Sequence, residues 1–146
     1  MYKKLGEDLK IYMKNSEKEK VSVLRMLLSQ IKNEAIRIGI KDISDEIVFN
    51  VLKRSIKEIE DNIINYTQLG KMELVDKEKF ELSMLKSYMP EQISDEELIN
   101  LVKKEIDSIK NFSQKDMGSV ITSITTKFKF QVDSARIAKI IKEKYL

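Results

Sequence analysis

The chain has 146 residues, of which 35% are charged and 42% hydrophobic, and its formal net charge is +3. It contains no cysteine and no histidine, so disulfides, thiolate chemistry and the commonest general base and nitrogen metal ligand are excluded. No apolar run approaches the roughly 20 residues of a membrane span, and the start lacks a signal-peptide core. We therefore expect a cytoplasmic protein that does not insert in a membrane and that holds no metal or cofactor.

The apolar spacing in the first part of the chain is helical. The first predicted helix carries an apolar stripe of Leu5, Leu9 and Tyr12. A second is predicted to open at a capping box formed by Ser16 and Glu19 and to end at Gly39. Its predicted core stripe consists of Val21, Leu24, Leu28, Ile31, Ala35 and Ile38.

Two further helices are predicted before the single proline of the chain. Ser44 has the residue type of an amino-terminal cap for the third helix, and Gly70 would close it. The fourth runs from about Met72 to Ser87 and places Leu82 in the core. These patterns predict an antiparallel four-helix bundle at the amino terminus.

The proline marks a joint between two helical bodies. Pro90 disfavours helical geometry in the residue before it, so the fourth helix must end there. Ser94 and Glu97 then form a predicted capping box ahead of a new apolar stripe. We therefore expect an all-α chain with one subdomain at residues 1–89 and a smaller one at residues 90–146.

Three shorter helices are predicted after the joint. The first follows the Ser94 cap, the second begins at Ser113 with Asp116, and Asp133 caps the last. The β-branched residues between Thr122 and Val132 could suggest a strand, but a lone strand has no partner elsewhere in the chain. The carboxyl-terminal subdomain is therefore expected to contain three helices.

Several separated segments of the chain resemble the motifs of one known family. One is the stretch Leu85–Ser94 at the joint, with Tyr88, Pro90 and Gln92. Another is Lys115-Asp116-Met117-Gly118, and Asp133 occupies an aspartate position of a third. Together these motifs resemble the GatB/YqeY family over essentially the whole chain. By this resemblance, the motif residues with expected structural roles are Tyr88, Pro90, Gln92, Asp116, Met117, Gly118 and Asp133.

The resemblance also implies a function. A domain of this type forms the tail of the GatB subunit of the glutamine-dependent tRNA amidotransferase, where it is thought to engage tRNA. The family label is carbon–nitrogen ligase with glutamine as amido-N-donor, although the catalytic parts lie on other domains and another subunit. The resemblance thus implies a non-catalytic helical module whose candidate partners are tRNA and amidotransferase subunits. The residues themselves show no catalytic constellation.

The charges indicate where RNA would bind. Residues 108–146 carry eight basic and three acidic side chains, a net charge of +5, whereas residues 89–107 carry a net charge of −4. A basic segment of this kind suits a polyanion, although solvation of a terminal helix explains it as well. The candidate RNA-binding residues are Lys115, Lys127, Lys129, Arg136 and Lys139.

The segment at residues 127–134 also departs from the family pattern. Lys127, Lys129 and Asp133 match it, but Phe130, Gln131 and Ser134 stand where the family has glycine, arginine and glycine. Aromatic rings between lysines could stack on RNA bases, or they could pack the last helix. The alternative to an RNA-binding protein is a protein-interaction adaptor without an RNA role.

Overall fold

The computed structural model describes residues 1–146 and is all-α, as predicted. The α-helices are α1 (Tyr2–Lys14), α2 (Lys18–Ile38), α3 (Asp45–Gln68), α4 (Met72–Lys86), α5 (Asp95–Asp107), α6 (Met117–Phe128) and α7 (Ser134–Tyr145). Short 3-10 helices at Gln114–Asp116 and Lys129–Gln131 precede and follow α6. The chain divides into an amino-terminal unit, Met1–Met89, and a carboxyl-terminal unit, Pro90–Leu146.

Local side-chain chemistry sets several of the helix starts. The Ser44 hydroxyl accepts a hydrogen bond from the Ile47 amide (3.4 Å), and the Ser94 hydroxyl accepts one from the Glu97 amide (3.2 Å). Asp133 accepts one from the Ala135 amide at 3.0 Å. Each bond satisfies an amide of the first turn that has no partner within the helix. The caps predicted at Ser44, Ser94 and Asp133 are therefore confirmed, and of the capping box predicted at Ser94 and Glu97 the structure shows the serine half.

The predicted capping role of Ser16 is wrong. Ser16 adopts a left-handed backbone with φ of 58°, and Glu17 is the residue that precedes α2. The Ser16 amide donates to the Met13 carbonyl and the Glu17 amide donates to the Tyr12 carbonyl. This pair of bonds closes the carboxyl end of α1 in a Schellman turn. Ser16 therefore ends one helix instead of opening the next.

We expect Ser16→Gly to stabilise the amino-terminal unit by roughly 0.5–1 kcal/mol, because glycine adopts positive φ without a Cβ penalty. Turns of the same type end α2 and α3, and there the equivalent position is glycine: Gly39 has φ of 75° and Gly70 has φ of 70°. Urea denaturation of the variant measures the change. Ser16→Ala is the matched control, and a stability of the glycine variant at or below that of the alanine variant would contradict the interpretation.

The core of the amino-terminal unit is formed by the facing sides of its helices. Its fully buried side chains include Leu5, Leu24, Leu27, Ile31, Val48, Val51 and Leu52. The predicted stripe of α2 is partly wrong, since Leu28 is only half-buried and Ile38 is 41% exposed. The buried face includes Val23 and Leu27 instead because α2 packs against α1, α3 and α4, and these neighbours decide which side of the helix is covered.

Tyr88, the tyrosine of the first family motif, links the end of α4 to α1. Tyr88 is 6% exposed, and its hydroxyl donates a 2.6 Å hydrogen bond to Asp8 Oδ2 on α1. Burial, and then the hydrogen bond and charge of Asp8, raise the pKa of Tyr88 well above its ordinary value. The phenol therefore stays neutral and ties the end of α4 to the first helix.

The carboxyl-terminal unit has a core of its own. Its buried side chains come from all three helices and from the segments between them: Ile93, Leu98, Val102, Ile106, Val120, Ile124, Val132, Ile137 and Ile141. Phe128 and Met117 are half-buried and pack against this cluster. Helices α5, α6 and α7 pack pairwise around it.

Candidate nucleic-acid interface

The candidate site lies in the carboxyl-terminal unit, where two loops meet. The Ile93 amide donates to the Gln131 carbonyl at 2.9 Å, and the Gln92 side-chain amide donates to the Phe130 carbonyl at 2.7 Å. Ile93 and Val132 each insert a buried apolar side chain next to these bonds. The family-motif loop before α5 and the segment before α7 thus form one paired structure, which we call the loop pair (residues 90–94 and 129–133).

Arg136 adds two hydrogen bonds next to the loop pair. One terminal nitrogen of its guanidinium donates to the Ile93 carbonyl at 2.8 Å and to Asp95 Oδ1 at 2.7 Å. Its side chain is 31% exposed. The arginine predicted to bind RNA therefore holds the first turn of α7 against the residues that start α5. Both acceptors lie more than 40 positions away in the sequence, so local patterns gave no sign of this role.

Lys127 is also partnered. Its Nζ lies 3.0 Å from Glu105 Oε1, and the two side chains are 64% and 24% exposed, respectively. The hydrogen bond from Lys127 lowers the pKa of Glu105 below its ordinary value. An exposed ion pair of this kind contributes about 0–1 kcal/mol to the stability of the fold. A phosphate could therefore replace Glu105 as the partner of Lys127 at a small cost in free energy.

The other three predicted cations are exposed on separate elements. Lys115 lies in the 3-10 helix before α6, Lys129 in the one after it, and Lys139 on α7. Lys142 is exposed as well and lies three residues after Lys139, so the two ammonium groups share a face of α7. Lys142 is not among the candidates predicted from the sequence, although its three-residue spacing from Lys139 was a signal that could have found it.

The residues that depart from the family pattern occupy defined positions. The Phe130 carbonyl is engaged by Gln92, and its side chain is half-buried. Ser134 is the first residue of α7, directly after the Asp133 cap. Phe128 packs on the core, which favours the packing alternative for that ring over base stacking.

The second family motif forms the start of α6. Asp116 Oδ2 accepts hydrogen bonds from the Ser113 amide (2.9 Å) and from the Ser113 hydroxyl (3.3 Å). A capping box therefore fixes the turn that presents Lys115. At Gly118 an added Cβ would meet nothing within 4 Å, so neither space nor a positive φ requires glycine there.

The chain as described holds no group of three or more His, Cys, Asp or Glu side chains that could bind a metal ion. None of its helices is long and apolar enough to cross a membrane. The fold and the site thus define an all-helical protein of two units, with exposed lysines on several elements of the second.

The family comparison agrees with this architecture. The profile described as Yqey-like protein matches residues 2–145, and the chain belongs to that family. Curated relatives are named "Altered inheritance of mitochondria protein 41, mitochondrial". The one from Pyrenophora tritici-repentis is 26% identical over 145 residues, covering 96% of this chain and 78% of that protein.

Two yeast relatives carry the same name. The protein from Saccharomyces cerevisiae is 30% identical over 108 residues, which is 73% of this chain and 58% of the relative. The protein from Kluyveromyces lactis is 30% identical over 84 residues, which is 58% of this chain and 45% of the relative. The chain therefore spans about half the length of these yeast proteins.

Proposed function

We propose that this chain is a non-catalytic helical module that binds tRNA through the basic surface of its carboxyl-terminal unit. The observation that carries the proposal is the net charge of +5 over residues 108–146, together with the exposure of Lys115, Lys129 and Lys139. Lysines on a surface with few acids neutralise phosphates and release counterions. The loop pair holds the turn that carries Lys129, and the capping box of Ser113 and Asp116 holds the turn that carries Lys115.

The resemblance to the GatB tail supports this proposal and extends it. A module of this type would hold tRNA while amidotransferase subunits carry out the amide transfer, so those subunits are proposed as second partners. No catalytic step is proposed for this chain, since it lacks the histidine and cysteine that most often serve as base and nucleophile. Of the five candidate residues, we assign Arg136 a structural role in the loop pair and not a contact with RNA.

We further propose that the protein acts in the cytoplasm. The names of the fungal relatives contain the word mitochondrial, and that description applies to those proteins. Fractionation of cells that express the native chain, followed by immunoblotting against cytosolic and membrane-organelle markers, tests the location. Recovery in an organelle fraction alone would contradict it.

Titration of tRNA against the wild type and Lys115→Ala/Lys139→Ala at about 50 and 200 mM salt tests the RNA proposal. We expect a dissociation constant on the order of 10⁻⁴ to 10⁻⁶ M for the wild type. The double variant should bind more weakly and flatten the dependence of log affinity on log salt by about one to two units, because two phosphate contacts are lost.

The matched control for this titration is Lys10→Ala/Lys57→Ala, which removes two exposed lysines from the amino-terminal unit. Its affinity and salt slope should equal those of the wild type. Equal losses in both double variants would show that binding depends on overall charge and would reject this surface. No binding to any of the three proteins at low salt would reject RNA binding and favour an adaptor.

A further inference from the structure

The amino-terminal unit contains a groove that the proposed RNA contact does not use. It lies between α2, α3 and α4 and has a volume of about 880 Å³. Apolar side chains of Val23, Leu27, Ile59 and Leu85 form its floor, and all four are buried. A groove with an apolar floor between helices is a common type of docking site for a further helix.

Two large apolar side chains extend the floor towards solvent. Met26 on α2 is 57% exposed and Phe80 on α4 is 37% exposed, and both line the groove. Methionine is flexible and polarisable, and it is frequent at surfaces that accept other chains. These two side chains therefore offer apolar contact to a partner at the edge of the groove.

The walls of the groove are strongly acidic. The carboxylates that line it are Glu19, Glu58, Glu73, Asp76, Glu78 and Glu81, against only two lysines, Lys18 and Lys77. None of these six carboxylates makes an ion pair. In the neighbouring cavity, by contrast, the Glu34 carboxylate forms ion pairs with Arg37 and Arg54.

One carboxylate oxygen in the groove is buried without a hydrogen-bond donor. Glu78 Oε2 is buried and accepts no hydrogen bond. Burial, with a smaller contribution from the charge of Glu78, raises the pKa of the adjacent Glu81 above its ordinary value. Buried carboxylate oxygens without a donor are costly, so an ammonium or guanidinium group brought by a partner would be stabilised here.

The length of the groove indicates the shape of the occupant. Its lining residues extend from Lys18 to Gln30 on α2 and from Glu73 to Leu85 on α4. Either stretch corresponds to roughly 18 Å of helix at 1.5 Å per residue. This length matches about three turns of a partner helix.

We propose that the groove docks a basic amphipathic helix of a partner protein, with apolar side chains on its floor and lysine or arginine against its acidic walls. The acidic surface repels nucleic acid, so this site is separate from the proposed RNA contact. A small polyamine would satisfy the carboxylates, but it would leave the apolar floor and the side chains of Met26 and Phe80 without a partner.

A synthetic helix of leucine and lysine, about 14 residues long and with leucine at positions i, i+3, i+4 and i+7, serves as the probe. Fluorescence anisotropy of the labelled peptide measures its affinity for the full chain. We expect Glu78→Gln/Glu81→Gln to weaken binding by about tenfold or more, because two desolvated charge pairs are lost. Met26→Ala should weaken it by about threefold to tenfold.

The matched control is Glu7→Gln/Asp61→Asn, which removes two exposed carboxylates of the same unit that do not line the groove. It should change the affinity by less than about twofold, because exposed charges outside the contact contribute little. Thermal unfolding of each variant confirms that it folds. The same peptide with glutamate in place of lysine should not bind.

Four results would overturn the proposal. The control variant could lose as much affinity as the Glu78 and Glu81 variant, which would show general charge attraction. The lysine peptide could fail to bind, or it could bind equally well to the Met26→Ala variant, which would show that the apolar floor is unused. Spermine binding that equals peptide binding and is insensitive to Met26→Ala would assign the groove to a small cation instead.

Discussion

Leu24→Ala should destabilise the amino-terminal unit by about 3 kcal/mol, within the 2–5 kcal/mol typical of leucine truncation in a packed core. Leu24 has no exposed surface and lies in the centre of a cluster that includes Leu5, Val48 and Leu52. The substitution removes buried methyl groups and leaves a cavity that the neighbouring helices fill only in part. Native-state hydrogen exchange measures the loss in the α2 amides.

Leu28→Ala is the control for this experiment. Leu28 is half-buried at the edge of the same cluster, so its truncation should cost about 1 kcal/mol. The α5 amides report on the other unit and provide an internal reference for each sample. Equal losses at both leucines, or a loss below about 0.5 kcal/mol for Leu24→Ala, would show that α2 presents a different face to the core.

Arg136→Ala should destabilise the carboxyl-terminal unit by about 1–2 kcal/mol. The guanidinium is half-buried and bonds to the Ile93 carbonyl and the Asp95 carboxylate. Asp95 is 86% exposed, so its ion pair adds little and most of the loss comes from the bond to the carbonyl. Hydrogen exchange of the α5 and α7 amides measures the effect.

Two further variants separate the roles of this arginine. Arg136→Met keeps the packing of the aliphatic stem and removes the donors, so its loss should approach that of Arg136→Ala. Lys139→Ala changes an exposed cation on the same helix and should cost less than about 0.5 kcal/mol. If Arg136→Ala kept full stability and weakened tRNA binding as much as Lys139→Ala, Arg136 would belong to the RNA surface.

The helical class and most helix ends follow from local chemistry that the sequence displays. Ser44, Ser94 and Asp133 each bond to an amide two or three residues away, and Gly39 adopts the positive φ that ends α2. Contacts within a few residues leave a pattern of residue types. Such patterns are readable without knowledge of the fold.

Features that depend on distant residues were not readable in this way. The face of α2 is fixed by three other helices, so Leu27 is buried and Leu28 is half-buried despite their equal hydrophobicity. The Gln92 side chain donates to the Phe130 carbonyl, which lies 38 residues away in the sequence. The acidic groove needs carboxylates from α2, α3 and α4 at once. No periodicity in a single helix encodes these arrangements.

The loop pair has a consequence for synthesis of the protein. A nascent chain leaves the ribosome from its amino terminus, so α5 emerges before Gln131 and Arg136 do, and the Ile93 amide and carbonyl are bonded to water at that stage. The apolar side chains of Leu98 and Val102 are then uncovered, because α6 and α7 come later. Translational pausing in this interval would therefore leave an aggregation-prone helix accessible to chaperones.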